Sequence, residues 1–167
     1  CQSCTVGCQV GNDAPIGMFW TYVPQVGPVG EFPNVFYYNL PQLCNHCANP
    51  PCVDCCPTGA SYQREDGIVL VDANKCVGCK ACVMSCPYGA RSPNPKLGVV
   101  QKCTFCVDRI TAGKQPYCVE SCHQQARIFG DLDDKTSRVY QLVHSEPVVT
   151  MLPELGTDPQ VYYILGK

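Results

Sequence analysis

The chain has 167 residues, 16 of them cysteine, with 14 acidic and 12 basic side chains and a formal net charge of −2. Cysteine at that level belongs to disulfide or metal scaffolds, and the near-neutral balance excludes a basic footprint for nucleic acid. No apolar run is long enough to cross a bilayer, and the 15 prolines and 14 glycines exclude a helical bundle or coiled coil.

From the N-terminus, Cys1, Cys4 and Cys8 read C-x2-C-x3-C, the last three positions of a C-x2-C-x2-C-x3-C run. A further cysteine is therefore expected just upstream of residue 1. Residues 9–43 follow, rich in proline, glycine and aromatics: Phe19, Trp20, Tyr22, Phe32, Phe36, Tyr37 and Tyr38. This segment is expected to pack as a cover over the cysteine sites. The alternative is a docking surface, because Trp and Tyr are enriched at interfaces. The second run, CNHCANPPCVDCCP, gives Cys44, Cys47, Cys52 and Cys56 as C-x2-C-x4-C-x3-C-P, and leaves Cys55 as a surplus small hydrophobe. Past Cys56 the pattern predicts a strand at 61–63, a turn at Glu65-Asp66-Gly67 and a β-branched strand at 68–71.

The third run, CVGCKACVMSCP, supplies Cys76, Cys79, Cys82 and Cys86 in the C-x2-C-x2-C-x3-C-P spacing of bacterial 4Fe-4S ferredoxins. Three thiolates on such a tight loop reach three irons of one cubane. The fourth, carried onto a short helix, points towards a partner cluster. The fourth run, Cys103, Cys106, Cys118 and Cys122, is the same device with a long excursion before its third cysteine. Short helices are expected at 81–85 and 116–121, each ending at a fourth-position cysteine. The segment HQQARIFGDLDDKTSRVYQL offers strand, acidic turn and strand, and residues 144–167 read as an extended tail able to wrap onto a partner. Disulfides suit recurring C-x2-C pairs less well than a metal does, and paired zinc knuckles fit these spacings poorly. The expected fold is α+β: tandem ferredoxin-like 4Fe-4S units with a Pro/aromatic-rich insertion and an extended C-terminal tail.

With these four runs, CQSCTVGCQVGNDAP, LCNHCANPPCVDCCPTGA, KCVGCKACVMSCPYGAR and QKCTFCVDRITAGKQPYCVESC, the chain resembles the four-cluster iron–sulfur subunits of complex molybdopterin oxidoreductases. These serve dimethyl sulfoxide, polysulfide, thiosulfate, tetrathionate and arsenate reductases. The resemblance implies that outer runs pair with each other and inner runs likewise, each lending its fourth cysteine to its partner's cluster. One cluster would then take Cys1, Cys4 and Cys122 plus the upstream cysteine, and a second Cys103, Cys106, Cys118 and Cys8. A third would take Cys44, Cys47, Cys52 and Cys86, and a fourth Cys76, Cys79, Cys82 and Cys56. The corresponding units are 1–43 with 103–143, and 44–102, leaving 144–167 as tail. The implied partners are a molybdenum- or tungsten-pterin catalytic subunit and a membrane quinone-reactive anchor, on the periplasmic face of the inner membrane. His123 departs from the family, where proline follows the last cysteine. It is read as a surface side chain, with a hydrogen bond to cluster sulfur as the alternative.

Four oxidised cubanes would add about −8 to the chain. Backbone N–H groups of the cysteine loops, with Lys75, Lys80, Lys102, Arg91 and Arg109, are the expected compensation. Neither a His/Asp/Ser constellation nor a phosphate loop or dinucleotide fingerprint is present, so the chain is expected to conduct electrons and not to catalyse. A freestanding polyferredoxin and a binding platform clamped by structural clusters are the readings from other classes.

Overall fold

A thiol is required every few residues, and proline and glycine punctuate the rest, so no element in this chain runs far. The computed structural model describes residues 1–164. In chain order its elements are α1 (Ser3–Gly11), β1 (Thr21–Tyr22), β2 (Gln25–Val29), β3 (Phe36–Asn39), β4 (Gln42–Leu43), α2 (Pro51–Asp54), β5 (Ser61–Gln63) and β6 (Val69–Val71). Then come α3 (Ala81–Met84), β7 (Arg91–Asn94), β8 (Val99–Lys102), α4 (Val107–Thr111), α5 (Tyr117–Glu120), α6 (Arg138–Ser145), β9 (Val148–Val149), a 3-10 turn at Pro153–Leu155 and β10 (Tyr163–Ile164). Every sheet among the described residues is a two-stranded antiparallel ribbon. Small helices and hairpins of this kind make the α+β ferredoxin-like fold that the cysteine runs predict.

Short helices pack in pairs. In residues 44–102, α2 lies on α3, and Cys52 and Cys82 meet Val69 and Val100 in one buried core. The helices carry hairpins behind them, with Ser61 opposite Val71 in β5–β6 and Arg91 opposite Lys102 in β7–β8. Elsewhere α1 lies on α5, burying Cys4, Cys8 and Cys118. That contact needs glycine, since a Cβ on Gly11 would sit 2.4 Å from the Tyr117 ring.

Three expectations are corrected. Residues 123–137 form no strands; the chain turns instead and starts helix α6, because Ser137 Oγ accepts from Tyr140 N at 3.1 Å and caps it. The insertion is not a packed cover. Only its base serves that way, through Trp20 and Val23 against Cys4, Cys8 and Cys118, while hairpin β2–β3 projects with Phe32 92% and Tyr37 57% exposed. The two strands of the hairpin pack chiefly on each other, so no apolar face covers them. The tail pairs back on its own chain, β9 with β10, and Tyr163 Oη donates to Pro41 O at 2.9 Å. The tail's last three residues, 165–167, lie outside the described residues.

Candidate metal centres

In the second, third and fourth runs the first C-x2-C step holds a residue in the left-handed region: His46 at φ 41°, Gly78 at 67° and Phe105 at 52°. Backbone N–H groups point at sulfur, one of them from inside such a step. Phe105 N donates to Cys103 Sγ at 3.4 Å, Ser61 N to Cys56 Sγ at 3.3 Å, Val100 N to Cys76 Sγ at 3.5 Å and Ala126 N to Cys122 Sγ at 3.3 Å. Glycine is required at 78, where a Cβ would stand 2.3 Å from Gly98 O. His46 and Phe105 carry the strain of the same conformation while stacked on each other, ring centroids 3.7 Å apart.

All sixteen cysteines are free thiols. Among the described residues no three His, Cys, Asp or Glu side chains converge closely enough for a single metal ion. The thiols surround space instead. Cys44, Cys47, Cys52 and Cys86 line one cavity together with Tyr88 and Arg91. Cys56, Cys76, Cys79 and Cys82 line another. Cys8 and Cys106 share Asn12, whose Nδ2 reaches their sulfurs at 3.5 and 3.7 Å. Burial, then the neighbouring Cys118 and Cys106, push the Cys8 thiol up to about 12. Burial, then nearby Cys44, also push Cys103 up. Cys4 packs with Cys8 and Cys118, whereas Cys1 is exposed, and no hydrogen bond among the described residues joins Cys1 or Cys122 to Cys4. Cys55 lines neither cavity; its sulfur lies 3.1 Å from Ser85 Oγ at the α2–α3 contact.

The polar groups around these thiols fit an iron–sulfur cluster. Buried N–H donors lacking a partner include Trp20 Nε1, Asn45 Nδ2, His46 Nε2, Arg91 Nε and Nη1, and Arg127 Nε. Such a donor left unpaired costs about 1–3 kcal/mol, and thiolate and sulfide are the acceptors these positions suit. His46 Nδ1 accepts from Val69 N at 3.1 Å, so its proton sits on Nε2. Burial holds its pKa well below the usual histidine range, which keeps the ring a neutral donor.

The expected counter-cations divide. Lys102 is buried, its Nζ donating to Val69 O and, at 2.7 Å, to Cys103 O. Arg91 is 3% exposed and donates to Cys52 Sγ at 2.8 Å and Ser61 Oγ at 2.7 Å. Lys75 and Lys80 are exposed. Arg109 pairs with Glu120 and covers the Tyr117 ring at 4.0 Å. His123 is exposed. Sequence reading passes over Asn12, His46 and Arg127. For Arg127 a signal existed, since Ala-Arg stands five residues past the fourth cysteine in both CPYGAR and CHQQAR.

The family described as the 4Fe-4S dicluster domain matches residues 35–132. A tetrathionate reductase subunit of Salmonella typhimurium is 51% identical over 98% of this chain and 67% of its own length. A putative dimethyl sulfoxide reductase iron-sulfur subunit of Halobacterium salinarum is 41% identical over 100% of this chain and 75% of its own. The arsenate respiratory reductase iron-sulfur subunit of a Shewanella species is 34% identical over 98% and 90%. The chain belongs to this family of 4Fe-4S electron-transfer subunits. As such a subunit it moves electrons for a reductase whose catalysis lies on another chain. Among its described residues no helix is long and apolar enough to cross a membrane.

Proposed function

We propose that this subunit conducts electrons through four 4Fe-4S clusters between a membrane quinone-reactive subunit and a molybdenum- or tungsten-pterin catalytic subunit, on the periplasmic face of the membrane. The observation that carries the reading is how the thiols group around space. Cys44, Cys47, Cys52 and Cys86 hold one cluster, and Cys56, Cys76, Cys79 and Cys82 its neighbour. Cys8, Cys103, Cys106 and Cys118 hold a third, and Cys1, Cys4 and Cys122 belong to the fourth. A 4Fe-4S cubane, when bound, takes up and releases a single electron.

The chain's own residues thread these sets in sequence. Cys52 and Cys82 share one core; Cys44 and Cys103 are neighbours beside the His46–Phe105 stack; Cys118 packs against Cys4. This order supports two tandem units, 44–102 and 1–43 with 103–143, joined into one path and followed by the 144–167 tail. The solvent-facing aromatic hairpin supports a subunit covered by partners over a freestanding carrier.

Anaerobic iron and acid-labile sulfide analysis of the purified complex, with EPR of the same sample, tests the reading. About sixteen irons and sixteen sulfides in this subunit, with coupled reduced-cubane signals, are expected. Zinc, or no metal, overturns it.

A further inference from the structure

Arg91 and Arg127 occupy equivalent places. Both follow an alanine, both stand five residues past the fourth cysteine of a run, and both reach into the gap between packed helices. Arg91 donates to Cys52 Sγ at 2.8 Å and to Ser61 Oγ at 2.7 Å; Cys82 lies in the same buried core as Cys52, and Ser61 lines the space around Cys56, Cys76, Cys79 and Cys82. Cys52 and Cys82 are the third cysteines of the second and third runs, and they belong to different proposed clusters. Arg127 repeats part of the arrangement: it donates to Thr21 Oγ1 at 2.7 Å, where Thr21 opens β1 as Ser61 opens β5. It also faces Cys118 and Cys8. Both of these thiols belong to one proposed cluster, that of Cys8, Cys103, Cys106 and Cys118. Both arginines keep buried nitrogens without a protein partner: Nε and Nη1 on Arg91, Nε on Arg127.

Resting on the four-cluster reading, we infer that Arg91 is the shared counter-ion of the two inner sites, positioned to raise both of their potentials together, whereas Arg127 serves the single outer site of Cys8, Cys103, Cys106 and Cys118. The guanidinium suits this task because its donors fan out in one plane, so one charge contacts acceptors on two sides, which a lysine ammonium does not. A buried cation favours the reduced, more negative cluster. The hydroxyls of Ser61 and Thr21 take the remaining donor and fix the fork's orientation.

The test is a potentiometric EPR titration of the whole complex, with iron and sulfide counted in every sample. Wild type must first show four cycling cubanes; fewer overturn the four-cluster reading and this inference with it. Given four, Arg91→Gln is expected to lower two midpoints, each by about a tenfold change in the reduction equilibrium, or ~59 mV for one electron. Arg127→Gln is expected to lower one of the other two. Four unmoved midpoints, a midpoint moved by both variants, or a uniform shift of all four overturns the inference while leaving the wire intact. Should a glutamine variant lose iron, Arg91→Lys decides. A point charge sits nearer one side, so the two midpoints of the pair are expected to separate, and two unmoved midpoints overturn the inference.

Discussion

Residues 44–102 and the α1–α5 region solve the same problem with different materials. In the first, both halves follow one plan: cysteine loop, four-residue helix, antiparallel hairpin. In the second, a nine-residue helix faces a four-residue one, and β1–β4 is the counterpart hairpin, interrupted by the β2–β3 projection. Arg127 also sits on no strand and is less buried than Arg91. What both regions keep is the third-position cysteine on a helix packed against its twin, with an arginine and a hydroxyl between. Ligand geometry is therefore set by the loop and the helix pair. The hairpins close the space and tolerate replacement.

That comparison breaks most readily where backbone meets backbone. Gly78→Ala puts a Cβ 2.3 Å from Gly98 O at φ 67°, and should destabilise the 44–102 region by about 3 kcal/mol through left-handed strain and overpacking. Thermal loss of cluster absorbance at a clearly lower temperature, with iron lost from two of the sites first, is the expected reading. Gly11→Ala strikes the other region, where the obstacle is the Tyr117 ring at 2.4 Å, held under Arg109. A ring yields more than a carbonyl does, so about 2 kcal/mol is expected. Equal losses in the two variants would show that both regions depend on one common packing.

Smaller effects sharpen the division between framework and additions. Ser137→Ala removes the cap of α6 and should cost about 1 kcal/mol, read by hydrogen exchange at Tyr140 and its neighbours, with all midpoints unchanged. Phe32→Ser, at a 92% exposed tip, should change the stability of the chain by no more than ~0.5 kcal/mol. A larger loss would mean that the hairpin packs on the cluster region after all.

Much of the centre was legible because a cubane imposes spacing on sequence. The runs around Cys44, Cys76 and Cys103 announce tight loops, and the turn Glu65-Asp66-Gly67 between β-branched residues announces the β5–β6 hairpin. Gly78 could be read as a left-handed position. His46 and Phe105, which take the same conformation, could not, because neither residue type requires positive φ and their mutual stack exists only in three dimensions. The acidic stretch before Ser137 looked like a turn between strands because local pattern does not distinguish a strand entry from a capped helix.

By itself the sequence determined the chemistry: sixteen thiols in four spaced groups, and the family that these runs define. Tertiary structure decided which thiols face one space, which aromatics pack and which stand in solvent, and which cations lie inside. Lys75, Lys80 and Lys102 all stand beside a cysteine of one of the runs, yet only Lys102 is buried. Arg127, five residues past its nearest cysteine in the chain, faces Cys8 and Cys118. The physical reason is that ligand spacing is a covalent constraint written along the chain. Burial and charge pairing depend on which segments meet, and short elements joined by loops leave that to packing.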